Sequence, residues 1–264
     1  TDNTVNTAIA GTYPVTYSVG DAAGNAAIRI RTVNVESNAD GESTDQDGNT
    51  FEWINYGTQA WAIENAEVVT YRDGTEIPQI TDTNLWDTQT TGAWCYYNNN
   101  PSEGKLYNWY AVMGIHDNDP NTPNKEFAPD GWHVASGAEY EALINYLISD
   151  GYNYDGTLDE NKIAKALAST NGWWGSTKSG SPGNNQGNNN SSHFNLYPLG
   201  EISYNQAFSG NGGYAYLWTS SESYGDFGGG ETHAYIKYLV WSTIKFHGGL
   251  SRKSDGHIVR FVKD

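Results

Sequence analysis

Two amphipathic helical segments stand in a chain otherwise cut by glycine into short strand-like runs, and this uneven distribution most limits the possible fold. In SGAEYEALINYLISDG, residues 136–151, Ser136 and Glu139 have the spacing of a capping box. Tyr140, Leu143, Ile144 and Leu147 fall on one apolar face, and Gly151 supplies a stop. A second helix is predicted over DENKIAKALASTNG, residues 159–172, burying Ile163, Ala166 and Leu167 and ending at Asn171-Gly172. Before them, DQDGNTFEWINYGTQAWAIEN (45–65) reads as two strands around Gly57. After them come YLWTSSE, HAYIKYLVWSTIKF and HIVRFVKD, and the polar stretch 176–192 between has no apolar anchor and reads as a long loop. Strands and helices segregated in this way indicate an α+β domain and disfavour a parallel βαβ repeat.

Residues 11–35, GTYPVTYSVGDAAGNAAIRIRTVNV, form a separate signal. Val15, Tyr17 and Val19 alternate, as do Ile28 and Ile30, and DAAGN carries turn chemistry between them, so a β-hairpin is expected. Two strands seldom hold together alone in water, and this hairpin needs a further partner. The polar run 36–44, ESNADGEST, reads as a linker. The reading is of 1–36 as one unit, 37–44 as linker and 45–264 as a second domain.

Length and charge narrow the function classes. A chain of 264 residues can bury a substantial core. Its 14 Lys+Arg against 31 Asp+Glu leave a net charge of -17, which repels phosphate backbones and anionic lipid, so neither nucleic acid nor direct membrane insertion is expected. The single cysteine, Cys95, cannot form an intrachain disulfide or complete a cysteine-and-histidine zinc pattern. Set among aromatics in AWCYYN, it reads as a buried, inert thiol. No apolar run approaches the roughly 18–20 residues of a membrane span, and the sequence reads as a mature or excised piece. Abundant Gly, Tyr and Trp suit a loop-rich extracellular module.

The hairpin resembles the closing strands of a bacterial immunoglobulin-like repeat. That resemblance implies further such repeats N-terminal to it in the parent protein. From residue 45 onward, DQDGNTF, YGTQAWAIEN, GKLYNWYAVMG, PDGWHVASGAEYEALINYL, LYPLGEI, SGNGGYAYLWTSSE, AYIKYLVWS and IVRFVKD occur in an order similar to that of the Fibrobacter succinogenes major paralogous domain. This resemblance implies a C-type lectin-like fold, with two helices and short antiparallel strands, also related to formylglycine-generating enzymes. It further implies a bacterial surface location. Relatives commonly carry a cysteine just before P-x-G-W-H and another in the closing strand, where this chain has Ala128 and Phe261. Phe261 is expected to pack on Ala128 in place of a crosslink worth about 2–5 kcal/mol.

Catalytic constellations are weakly marked. The cysteine pair of formylglycine-generating enzymes is missing. Ser220 and Ser221 do not lie in a G-x-S-x-G elbow and read as framework beside Glu222. His116, His133, His193, His233, His247 and His257 show no paired ligand spacing; His133 is expected in a structural hydrogen bond, and Trp109, Trp132 and Trp218 in the core. A carboxylate pair for glycoside hydrolysis is a property of space that no local pattern singles out. No cofactor is required. In DNDPNTPNKE, Asp117, Asp119, Asn121 and Glu126 offer hard oxygen ligands, leaving two readings open: a Ca2+ loop, and a solvated acidic turn. DQDGN, with Asp45, Asp47 and Asn49, has similar spacing, and there the family resemblance implies a turn leading into a strand.

The expectation is a non-catalytic extracellular binding module of a multi-domain bacterial adhesin, whose partner is a glycan or protein on another surface. Its binding residues are sought among Tyr224, Asp226, Phe227, His233, Tyr235, Lys237, Trp241, Lys245, His247, Arg252 and Asp255, where rigid aromatic area meets adaptable polar groups. Strand alternation leaves either face open as the binding face. Two other readings remain: a diversified phage or retroelement receptor-binding protein, and a structural filament subunit.

Overall fold

A computed structural model describes residues 2, 3, 5, 11–35, 38–223 and 232–264. The chain divides into two compact units, Thr1–Ala39 and Asp40–Asp264.

In the first unit β1 (Asp2–Asn3), β2 (Gly11–Gly20) and β3 (Ala26–Val35) make one antiparallel sheet. The β2–β3 turn forms where DAAGN supplies it: Asp21 Oδ1 accepts the N–H groups of Ala23 at 3.0 Å and Asn25 at 2.9 Å. Val19 lies opposite Ala27, whereas Ile28 lies opposite Ser18, so the apolar residues of the two strands project from different faces. Val15 is buried, and Tyr17, Val19, Ile28 and Ile30 stay exposed.

The second unit is mixed, with short helices and small antiparallel sheets, as the α+β reading requires. Its first sheet contains β4 (Gly41–Thr44), β5 (Thr50–Tyr56), β6 (Gln59–Ala62), β9 (Trp132–Val134) and β15 (Phe261–Lys263), in the order β4-β5-β6-β15-β9. Four residues of the segment read as linker therefore belong to a sheet: Gly41–Thr44 pair with Trp53–Thr50 across the Asp45–Asn49 turn. Gly57, at φ +66°, is the first residue of the two-residue β5–β6 loop, a conformation glycine takes without strain. The closing strand zips the unit together, with Val262 opposite Trp61 and Phe261 opposite Val134.

A second sheet has the order β12 (Tyr214–Glu222), β13 (His233–Val240), β14 (His247–Arg252). Two ribbons complete the strands: β7 (Trp94–Tyr96) with β8 (Lys105–Tyr107), and β10 (Glu201–Ile202) with β11 (Phe208–Ser209). The helices are α1 (Thr83–Trp86), α2 (Trp109–Val112), α3 (Gly137–Ser149) and α4 (Ala164–Leu167).

The predicted α3 forms with both halves of its capping box, and its buried residues are Tyr140, Leu143, Ile144 and Leu147. Each such burial contributes about 1.5–3 kcal/mol. These side chains pack with Trp61, Phe194, Leu217 and Leu239 in one apolar cluster. A second cluster holds Trp109, Trp132 and Trp218 with Phe51, Phe127, Ala128 and Phe261. Within it the Phe261 ring lies 5.9 Å from Phe51 and 6.0 Å from Phe127, so aromatic neighbours surround the position expected beside Ala128.

The helix predicted over 159–172 is a correction: only Ala164–Leu167 is α-helical. Glu160 sits at φ +57°, and Asn153 Nδ2 donates to the carbonyls of Thr157, Asp159 and Glu160 while its Oδ1 accepts from Lys162 N. At the other end Ser169 N donates to Leu196 O at 2.8 Å. A preceding side chain and a tertiary partner take the backbone groups that a longer helix would pair internally. The stretch 176–192 is anchored by polar contacts instead of apolar ones: Asn189, 7% exposed, donates to Ser169 O and Pro182 O and accepts from Lys165 Nζ.

Candidate functional site

Alternation along β12 and β13 sets two faces of the second sheet. Leu217 lies opposite Lys237 on one face, and Trp218 opposite Ile236 on the other. On the first face a cleft of about 690 Å³ is lined by Gly137 and Glu141 of α3, Thr219, Ser221, Tyr235, Lys237 and Leu250. Lys237 Nζ ion-pairs with Glu141 Oε1 across it, and Ser221 Oγ accepts the N–H of Gly137 at 3.0 Å. Thr219 Oγ1 donates to Tyr235 O at 2.8 Å. The cleft thus combines an aromatic ring, an aliphatic patch, hydroxyls and one ion pair. Two glycines of β14, Gly248 and Gly249, keep one wall low.

Of the residues expected to bind, the structure brings Tyr235 and Lys237 into this cleft. Lys237 is not a free surface cation: it is only 7% exposed because its ammonium is held by Glu141. Asp255 is likewise buried, contrary to its expected surface position, because it accepts Ser251 Oγ and Arg252 N within its own turn and Tyr204 N from a distant segment. Trp241 packs edge-to-face on Trp174 at 6.2 Å, and Arg252 stacks over Tyr204 at 4.0 Å. His247 stacks on Tyr238 at 5.0 Å, with burial and then the nearby Lys245 charge lowering its pKa. His233 is half-buried, with its Nδ1 2.9 Å from Thr232 Oγ1, and Lys245 is exposed. Tyr224, Asp226 and Phe227 lie outside the described residues. Glu141, Thr219 and Leu250 were missed, since nothing in the sequence tells that α3 and β14 converge on β13.

Ser220, Ser221 and Glu222 have structural partners. Ser220 N donates to Ala135 O at 3.0 Å, Ser221 Oγ anchors Gly137, and Glu222 pairs with Lys253. Cys95 is fully buried, and burial pushes its thiol up to about 12.

The acidic loop behaves as a series of turns. Asp117 Oδ1 accepts Asp119 N at 2.9 Å, and Asp119 Oδ1 accepts both nitrogens of Asn121 at 2.9 Å. Asp117, Asp119 and Glu126 do not converge on a common point; among the described residues His, Cys, Asp and Glu side chains converge in a group of three only at Glu201, Asp255 and His257, whose ligand atoms lie within 4.8 Å of one another. Asp45 caps its own turn through Asp47 N and Asn49 N, the turn that the family resemblance implies.

The Glu201 group lies on the other face of the sheet, where the His257 ring is 4.5 Å from Trp218 and 5.2 Å from Tyr216. Burial pushes Glu201 up to about 7, the neighbouring Asp255 charge adds to this, and a hydrogen bond with Ser209 opposes it. Burial holds His257 down at about 3, so its imidazole is neutral. Nothing in the spacing of these residues marked them in the sequence.

Among the described residues no helix is long and apolar enough to cross a membrane. A family model described as a bacterial surface protein, Ig-like domain, matches residues 1–35. Comparison with curated proteins and with solved structures finds no match. A second family model, the Fibrobacter succinogenes major domain, matches residues 54–263, about four fifths of the chain. Behind its surface-type Ig-like segment, the chain therefore belongs to the Fibrobacter succinogenes major domain family.

Proposed function

We propose that residues 40–264 form a non-catalytic, C-type lectin-like binding module of a bacterial surface adhesin, and that the α3–β13 cleft takes a glycan. The cleft carries this reading. Its volume of about 690 Å³ falls in the roughly 300–1,000 Å³ range of small-molecule sites. Tyr235 offers a ring face for the C–H side of a sugar, while Glu141, Lys237, Thr219 and Ser221 offer donors and acceptors for its hydroxyls. The Ig-like segment supports a surface-associated, extracellular setting. The lectin-like reading rests on the motif order, and the pairing of β15 with β6 is consistent with it.

A glycan array followed by calorimetry on the whole chain tests this. Saturable binding that weakens about tenfold or more in Tyr235→Ala, a loss of roughly 1.4 kcal/mol, is the expected result. Equal binding by the variant, or capture of a protein surface with no glycan bound, overturns the glycan assignment.

A further inference from the structure

We propose that Glu201, Asp255 and His257 form a site for a divalent transition-metal ion of the zinc class. The site is separate from the cleft and does not depend on the glycan reading.

The order of hydrogen bonds around His257 carries the argument. Asp255 accepts the backbone N–H groups of Tyr204 at 2.7 Å and Arg252 at 3.0 Å, so it is the acceptor for Ser251 Oγ at 2.6 Å. With its proton directed to Asp255, Ser251 Oγ accepts from His257 Nε2 at 2.8 Å. Nε2 therefore bears the ring proton, and Nδ1 presents a bare lone pair. The ring is fully buried, and Nδ1 has no hydrogen-bond partner.

That lone pair faces another electron-rich atom, Glu201 Oε2, at 3.8 Å. The distance is too long for a hydrogen bond. A metal bound at about 2.0–2.1 Å to nitrogen and about 2.0–2.2 Å to oxygen spans at most about 4.3 Å between the two, so a cation fits where a shared proton does not. Asp255 has used three of about four lone-pair sites and retains one. Among the described residues no lysine or arginine forms a salt bridge with Glu201 or Asp255. Two carboxylates and an imidazole lone pair thus converge in a largely buried place with no cation in contact with them, the Arg252 charge acting on Asp255 only from beyond salt-bridge distance, an arrangement costly without a closer counter-charge.

The three ligands are also fixed in place. Ile202 N and O pair with Gly256 O and N, which sets Glu201 beside the 255–257 turn, and His257 N and O pair with Tyr107. The Ser251–Asp255 arrangement is an outer shell that holds the tautomer needed for ligation through Nδ1. An imidazole nitrogen with two carboxylates favours zinc or a neighbouring first-row ion over calcium, which takes six to eight oxygens. The bound ion would cross-link the β10 ribbon to the closing segment of the chain.

The test is calorimetric titration of chelator-treated whole chain with ZnCl2, beside CaCl2 and MgCl2, with cobalt absorption as a second readout. One zinc per chain at micromolar Kd or tighter, a raised melting temperature and cobalt d–d bands are expected. Glu201→Gln, nearly isosteric, is expected to weaken zinc at least tenfold while keeping the metal-free circular dichroism spectrum, and Asp119→Asn to leave it unchanged. No saturable zinc binding, undiminished binding by Glu201→Gln, loss of binding in Asp119→Asn instead, or a stronger response to calcium overturns the proposal.

Discussion

Gly137 donates its N–H to Ser221 Oγ at 3.0 Å, tying the first turn of α3 to the strand beside the cleft. The bond satisfies one of the orphan amides of a helix start and makes Ser221 a framework residue. Ser221→Ala is expected to cost about 1–2 kcal/mol, seen as a lower urea midpoint with unchanged slope. A loss below about 0.3 kcal/mol would mean that water replaces the hydroxyl.

His133 bridges two acids, with Nε2 2.6 Å from Glu139 and Nδ1 2.7 Å from Asp264. Burial disfavours its cation, but the two acidic partners outweigh burial and raise its pKa. The stabilisation is therefore complete below the unfolded value near 6.5 and fades as pH rises through the higher folded value. Urea midpoints measured from about pH 5 to about pH 9 should carry this component, and His133→Gln should remove it. The side chain is 39% exposed, so solvent screening keeps the effect modest.

Cys95 is expected to resist thiol reagents in the native chain and to react stoichiometrically in denaturant. Its burial removes access, and a thiol pushed up to about 12 leaves little thiolate at neutral pH. Fast labelling of native protein would contradict the packing around β7.

Leu147→Ala, which empties part of the cluster beneath α3, should cost about 2–5 kcal/mol in chemical denaturation. Leu158→Ala, at a position 65% exposed, should stay within about 0.5 kcal/mol.

What was legible in the sequence was whatever local chemistry decides alone. The Ser136–Glu139 box, the apolar face of α3 and the Asp21 and Asp45 turns follow from groups within a few residues of one another. The 159–172 segment has a comparable helical pattern, yet the Asn153 side chain just ahead of it and Leu196, distant in sequence, take its backbone groups. Alternation along β13 was equally visible, but which side would meet α3 was not.

By itself the sequence determined the two-part organisation, the α+β character, the principal helix and the family, because these rest on periodicity, turn residues and motif order. Tertiary structure alone decided the site chemistry. It buried Lys237 against Glu141 and Asp255 beneath three donors, and it brought Glu201 within 3.8 Å of a bare His257 nitrogen. Charge, burial and ligand geometry arise from residues far apart in the chain, and only the packing of β10, β12 and the closing segment sets their distances.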